Sequence, residues 1–340
     1  MTALRRSPAS FAIVAVAAVL VATFSVRAAF ARSSAAGGTG VVVINTNLGY
    51  QGGQAAGTGM VLTSNGEVLT NNHVINGATQ IVAVVPGTSH RYVAKVVGYS
   101  VSNDVAVLQL QHASGLKTVS PTQTKATVGD PVHAVGNAGG RGTLSTAYGT
   151  ISALARTITA SNDEGASETL RGLLEVTADV QPGDSGGPLL DGSERVVGMT
   201  TAASRGNFGY GYAANVSPDA YAIPIARAIS IEKLIEAGRA SATIHIGPTA
   251  FLGVEVGSAE RYGFSGAIIG GLVPNGPAAK AGLQTGDVIT KLGSTTITSP
   301  STITKVVLSK KPGAKVSVTY RDPYSGSKSV TVTLGSGPPQ

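Results

Sequence analysis

The stretch Pro182-Gly183-Asp184-Ser185-Gly186-Gly187-Pro188-Leu189 decides how the rest of the chain is read. The chain has 45 Gly among 340 residues; even so, the string Gly183–Pro188 arises by chance only about once in ten thousand such sequences. A hydroxyl nucleophile for acyl transfer must stand at the apex of a tight turn, with backbone N–H groups aimed where an oxyanion develops. Gly183 lets one N–H approach with no Cβ in the way, and Gly186-Gly187 are expected to leave space around the Ser185 hydroxyl. The plainer alternative is a Gly/Ser surface turn, and the residues that could partner Ser185 decide between the two.

Those partners lie upstream. His73 follows a predicted strand in Thr70-Asn71-Asn72-His73-Val74-Ile75, and Asp104 opens Asn103-Asp104-Val105-Ala106-Val107-Leu108. Taken singly, such a His is more often structural and such an Asp more often a turn residue. Together with Ser185 they supply a nucleophile, a general base and the carboxylate that orients it. The chain order His, Asp, Ser is that of chymotrypsin-type double barrels, not of subtilisin or the α/β-hydrolases. His90, His112, His133 and His245 have no comparable context.

Around these residues the chain reads as short β-rich runs separated by Gly, Asn and Ser. Strands are predicted at Val41–Asn45, Gly59–Thr63, Glu67–Asn71, Gln80–Val84, Arg91–Gly98 and Val105–Gln109. A second group follows at Val132–Val135, Thr150–Leu154, Leu174–Thr177, Val196–Thr201 and Ala220–Ile223. Ser64-Asn65-Gly66 is a hairpin signal, because Asn-Gly suits positive φ. This spacing predicts a mainly β protein with two barrels in tandem. Ile225–Gly238 switches to helical spacing and stops at Gly238. Residues 38–238 thus form the first domain and 239–248 a linker. Residues 249–336 form a smaller unit, with strands at Leu252–Val256, Gly266–Leu272, Val288–Leu292, Lys315–Tyr320 and Ser329–Leu334 and helices at Gly276–Gly282 and Ser301–Ser309. Residues 337–340 are a tail, and the small, Pro-rich run Gly335–Gln340 is expected to be disordered.

Composition narrows the chemistry. With 42% hydrophobic residues the chain can build sizeable cores, which excludes a fully disordered protein. The absence of Cys excludes disulfides, Cys-ligated zinc and thiol nucleophiles. Five scattered His without an HExxH pair predict no metal site. Residues 1–31 carry Arg5 and Arg6, an uncharged apolar run Phe11–Val26, and Ala29-Phe30-Ala31. That is the pattern of a secretory signal, with a retained membrane anchor as the alternative. Its removal takes away Arg5, Arg6 and Arg27 and no acid, so the formal charge of +7 becomes +4. No nucleic-acid partner is expected at that charge.

The motifs TNNHVI, NDVAVLQL, GTISAL and PGDSGGPL, followed by GMTTA and AIP, resemble the HtrA/DegP-like serine proteases, most of all their actinobacterial PepA-type secreted branch. The resemblance spans nearly all of 41–335. It implies a chymotrypsin-like double β-barrel followed by a PDZ domain, an α+β partial barrel. It further implies an exported, ATP-independent endopeptidase acting on unfolded or damaged envelope proteins, without a cofactor. Ser185 would attack, His73 would carry the proton, Asp104 would orient His73, and the N–H groups of Gly183, Asp184 and Ser185 would bind the oxyanion. Asp179, six residues before Ser185, stands where trypsin places its pocket carboxylate, whereas the HtrA pattern prefers small apolar residues; Ala220 and Tyr221 would lie across from it. Phe251-Leu252-Gly253-Val254 matches the PDZ loop that holds a peptide C-terminus, with Ile303 and Val307 lining the groove. The resemblance also implies a switch between inactive and active loops at Gly136–Ala147, Gly183–Ser185 and Ala203–Asp219. A catalytically silent or switchable chaperone is therefore the alternative reading. Homo-oligomers are usual in the family, but Arg32–Gly40 lacks the aromatic residue its trimers use.

Overall fold

A computed structural model of the chain describes residues 33–34, 38–161, 167–203, 220–322 and 326–340. The expected export signal, and residues 204–219 of the expected switch loop Ala203–Asp219, lie outside the described residues. The two-residue strand β1 (Ser33–Ser34) pairs with the second barrel. The first barrel contains β2 (Val41–Leu48), β3 (Gly53–Val61), β4 (Glu67–Thr70), the one-turn helix α1 (Asn72–Ile75), β5 (Gln80–Val84), β6 (Arg91–Ser100) and β7 (Val105–Leu110). The order β6-β5-β2-β3-β4-β7 closes through a β6–β7 pairing.

The second barrel contains β8 (Pro131–Gly136), β9 (Ser145–Ser161), β10 (Ser167–Val176), β11 (Pro188–Asp191), β12 (Val196–Ala203) and β13 (Ala220–Pro224), followed by the helix α2 (Ile225–Glu236). It closes through a β8–β9 pairing. Both faces of several strands are buried, which explains their unbroken apolar runs. Along β7, Ala106 and Leu108 fill the first barrel while Val105 and Val107 face the seam between the barrels. Met60, Leu69, Met199 and Ile223 pack into that seam, together with Ile225, Ile231 and Ile235 of α2.

One polar pair interrupts this packing. Glu67 of β4 meets Glu232 of α2, and burial, Glu232 and Glu236 push the Glu67 carboxyl up from its ordinary 4.5 to about 7. Burial also raises Glu232, against its hydrogen bond to Glu67 and the weaker pull of Lys233. Native Glu67 therefore keeps a proton that the unfolded chain releases, so this contact loses stability as pH rises from 4.5 to about 7. Glu67→Gln should raise Tm clearly at pH 8 and little at pH 4.5; a Tm difference independent of pH would overturn this account.

After α2, β14 (His245–Ile246) pairs with β6 of the first barrel, so part of the expected linker is a strand and Ile244 is buried with it. The C-terminal domain contains β15 (Thr249–Phe251), β16 (Val254–Ser258), β17 (Ala267–Leu272), the helix α3 (Pro277–Lys280), β18 (Val288–Leu292), β19 (Thr295–Thr296), the helix α4 (Pro300–Leu308), β20 (Lys315–Asp322), β21 (Gly326–Thr333) and β22 (Gly335–Gly337). Its sheet runs β16-β17-β18-β20-β21, with β16 at one edge. The disorder expected for Gly335–Gln340 is corrected. Gly335–Gly337 pairs with β15, and Pro338 and Pro339 are buried, because β21 delivers the segment directly onto the first barrel.

Candidate active site

Ser185, His73 and Asp104 come from the loop before β11, from α1 and from the turn before β7. A one-turn helix has almost no intrinsic stability, and α1 has no side-chain N-cap; burial of Asn72, Val74 and Ile75 holds it while His73 projects outward. Asp104 is 2% exposed and sits in the left-handed region at φ 51°, a conformation Asp tolerates better than most residues. Its carboxylate accepts the His73 backbone N–H at 3.0 Å and faces His73 Nδ1 at 2.9 and 3.0 Å. The Thr201 hydroxyl donates a further short bond to Asp104 Oδ2, and Asn71 Nδ2 holds the Asp104 carbonyl at 2.9 Å. This arrangement keeps the proton on Nδ1 and leaves Nε2 to act as base.

The nucleophile loop is fastened to the first barrel through Thr58. Its N–H reaches the Ser185 carbonyl at 2.8 Å, its hydroxyl reaches the Gly183 carbonyl at 2.7 Å, and Asn137 N–H donates to the same hydroxyl at 2.9 Å. Gly183 has φ 98°, and a Cβ there would strike the Asn137 carbonyl; Gly186 has φ 85°, and a Cβ there would strike the Thr58 carbonyl and the Thr70 hydroxyl. Gly186 is thus required by the approach of the first barrel, and Gly187 by the Val135 carbonyl of β8, which a Cβ there would strike; packing gives these glycines a reason beyond the space expected around the Ser185 hydroxyl. That hydroxyl donates to the Thr201 carbonyl at 3.2 Å.

Among the described residues neither the Gly183 N–H nor the Ser185 N–H donates to any partner, as an oxyanion site requires. Asp184 N–H, also expected there, is instead bonded to the Gln181 carbonyl at 3.0 Å. The Asp184 side chain is 2% exposed and accepts the Gln181 N–H at 2.9 Å, one of the donors its burial requires.

The sequence leaves two readings of the primary pocket open, a basic one built on Asp179 and a small apolar one. Asp179 is exposed and accepts from Gln181 Nε2 at 3.1 Å, so it offers no buried carboxylate for a cationic side chain. Ala220 and Tyr221 are buried within the second barrel and its seam. Thr58 and Thr201 carry no local signature that marks them in the sequence; Thr201 lies inside the GMTTA motif without any indication of its role.

In the C-terminal domain Leu252 is buried with Ile303 and Val307 in the core, against which Val254 packs. Ile303 and Val307, expected to line the groove, are thus core residues, 4% and 6% exposed. Gly253 takes φ 79°, and among the described residues the Val254–Ser258 strand has one edge unpaired, as strand addition requires. Phe251 stacks on Tyr50 of the first barrel at 5.2 Å between centroids and 10° between planes.

Comparison with known proteins agrees with both halves. Residues 57–199 match the trypsin-like peptidase domain, and residues 250–334 match the PDZ domain. The serine protease PepD of Mycobacterium tuberculosis is 34% identical over 316 residues, covering 87% of this chain and 63% of PepD. The serine endoprotease DegS of Haemophilus influenzae is 32% identical over 269 residues, covering 77% of this chain and 72% of DegS. A substituted form of the HtrA-type protease AlgW, solved with tripeptide, superposes with a TM-score of 0.50 at 26% identity, covering 89% of this chain and 95% of that one. The chain spans just under two thirds of the length of PepD.

Proposed function

The chain belongs to the HtrA-type serine proteases, a trypsin-like peptidase domain joined to a PDZ domain, and from that premise we propose that it is an exported, ATP-independent endopeptidase of unfolded or damaged envelope proteins. The convergence of His73 Nδ1, its backbone N–H and the Thr201 hydroxyl on the buried Asp104 carboxylate carries this reading. Ser185 attacks the scissile carbonyl while His73 Nε2 takes its proton. Asp104 stabilises the imidazolium, and the Gly183 and Ser185 N–H groups receive the oxyanion. His73 then returns the proton to the leaving amine, and water hydrolyses the acyl-enzyme by the same steps. The edge of β16 would take a peptide C-terminus as an added strand. The apolar segment of residues 1–31 supports export.

A second reading, a switchable peptide-binding chaperone, is favoured by the Ser185 hydroxyl resting on the Thr201 carbonyl. One experiment separates them: incubation of the chain with unfolded casein, without ATP, followed by mapping of the cleaved bonds. Cleavage is expected after small apolar residues, roughly tenfold more often than after Arg or Lys, because Asp179 is exposed. Binding of casein without any cleavage would support the chaperone, and cleavage after Arg and Lys would overturn the pocket assignment.

A further inference from the structure

We propose that Pro338–Gln340, the segment after the last strand of the PDZ domain, is a positioning element that holds the His- and Asp-bearing parts of the triad in register. It rests on the assignment of His73 and Asp104 made above.

The segment touches both elements that deliver those residues. The Gln340 carbonyl accepts from Asn72 Nδ2 at 3.1 Å, and Asn72 is 3% exposed and immediately precedes His73. The Pro339 carbonyl accepts the Gly77 N–H at 2.9 Å, just past the end of α1. The helix is therefore bracketed on both sides. The Gln340 N–H donates to the Tyr99 hydroxyl at 3.3 Å, and Tyr99 lies near the end of β6, whose continuation through the turn Val101–Asn103 reaches Asp104.

Tyr99 is itself a junction. It is 1% exposed, its hydroxyl meets Thr249 Oγ1 at 3.2 Å, and its ring lies against His245 at 4.9 Å. Thr249 begins β15 and pairs with Gly337 of β22, so the root of the strap is tied through Thr249 to the same tyrosine that its tip grips.

The physical need is clear from α1. A bond from Asn76 N–H to the Asn72 carbonyl at 2.9 Å closes it, and a helix of a single turn has little stability of its own. Burial of Val74 and Ile75 fixes its inner face; the strap fixes its two ends. Small displacements of a general base are expensive, since about 1 Å can lower a rate by about a hundredfold. All three strap bonds use its backbone, so only deletion removes them together.

The test is deletion of Pro338–Gln340 from the full chain, which leaves β22 in place, beside Tyr99→Phe, which keeps the ring packing and removes one strap bond. Hydrolysis of a short chromogenic peptide gives kcat and KM, thermal unfolding gives Tm, and proton NMR follows the downfield Nδ1–H resonance of His73. Deletion should lower kcat about tenfold with KM within about twofold and broaden the His73 resonance; Tyr99→Phe should produce both effects more weakly. An unchanged kcat and an unchanged resonance after deletion would overturn the proposal. Should the deletion fail to fold, Tyr99→Phe decides by the same two readouts. The resonance is measurable whether or not the parent chain hydrolyses the peptide, so failure of the functional reading is distinguishable from failure of this one.

Discussion

Ser185→Ala should lower kcat by about six orders of magnitude and abolish labelling by a fluorophosphonate, with Tm unchanged. The substitution removes one atom, whose hydrogen bond runs to the Thr201 carbonyl at 3.2 Å. Everything that holds the loop in place is backbone or belongs to other residues. The Thr58 N–H still finds the residue 185 carbonyl, and the Thr58 hydroxyl still finds that of Gly183. An Ala at 185 therefore keeps the oxyanion donors and the barrel contact while deleting the nucleophile. Casein hydrolysis and gel-based labelling check the result, and survival of either at the parent level would remove Ser185 from the mechanism.

The second large effect is expected at Asp104. Asp104→Asn is nearly isosteric, yet kcat should fall about ten-thousandfold. The native carboxylate accepts from the His73 N–H, from His73 Nδ1 and from the Thr201 hydroxyl. An amide in its place has one accepting oxygen and a nitrogen that donates. Wherever that nitrogen faces Nδ1, the imidazole is driven to the tautomer with its proton on Nε2, which cannot accept from Ser185. Loss of stability should be smaller, about 1–3 kcal/mol for the donors left without acceptors in a site that is 2% exposed. Steady-state kinetics with thermal unfolding separates the two quantities. A fall in kcat matched by wholesale unfolding would mean that Asp104 acts as a structural residue only.

Most regular elements are legible in the sequence alone. Gln80–Val84 and Val288–Leu292 begin and end where the apolar runs do, and Asn65-Gly66 turns the chain between β3 and β4 with Gly66 at φ 97°. Elements whose pairing is remote are not. β9 runs for 17 residues, well past the predicted Thr150–Leu154, because its outer half is largely exposed and held by the ladder to β10, from Ser161↔Ser167 to Ile158↔Leu170. Such a ribbon needs no apolar alternation. β11 escapes the pattern because Pro188 opens it, and a strand tolerates Pro readily at its first residue. Composition marks the tail as disordered, although two prolines that cannot continue a helix can still be buried against a neighbouring domain.

By itself the sequence determined the class of the fold, the tandem domains and the identity of the candidate nucleophile, base and carboxylate. Those features rest on local periodicity, on turn chemistry and on residue types that few other functions require together. Only the tertiary structure decided which hydroxyl braces Asp104, why Gly183 and Gly186 admit no side chain, that Asp179 is exposed, and where the last residues dock. Each of those depends on partners brought together across the chain, Thr58 with Gly183 and Gln340 with Asn72. A hydrogen bond between residues so far apart leaves no periodic trace in either segment, because only the closed barrels and the docked domain bring its two ends within reach.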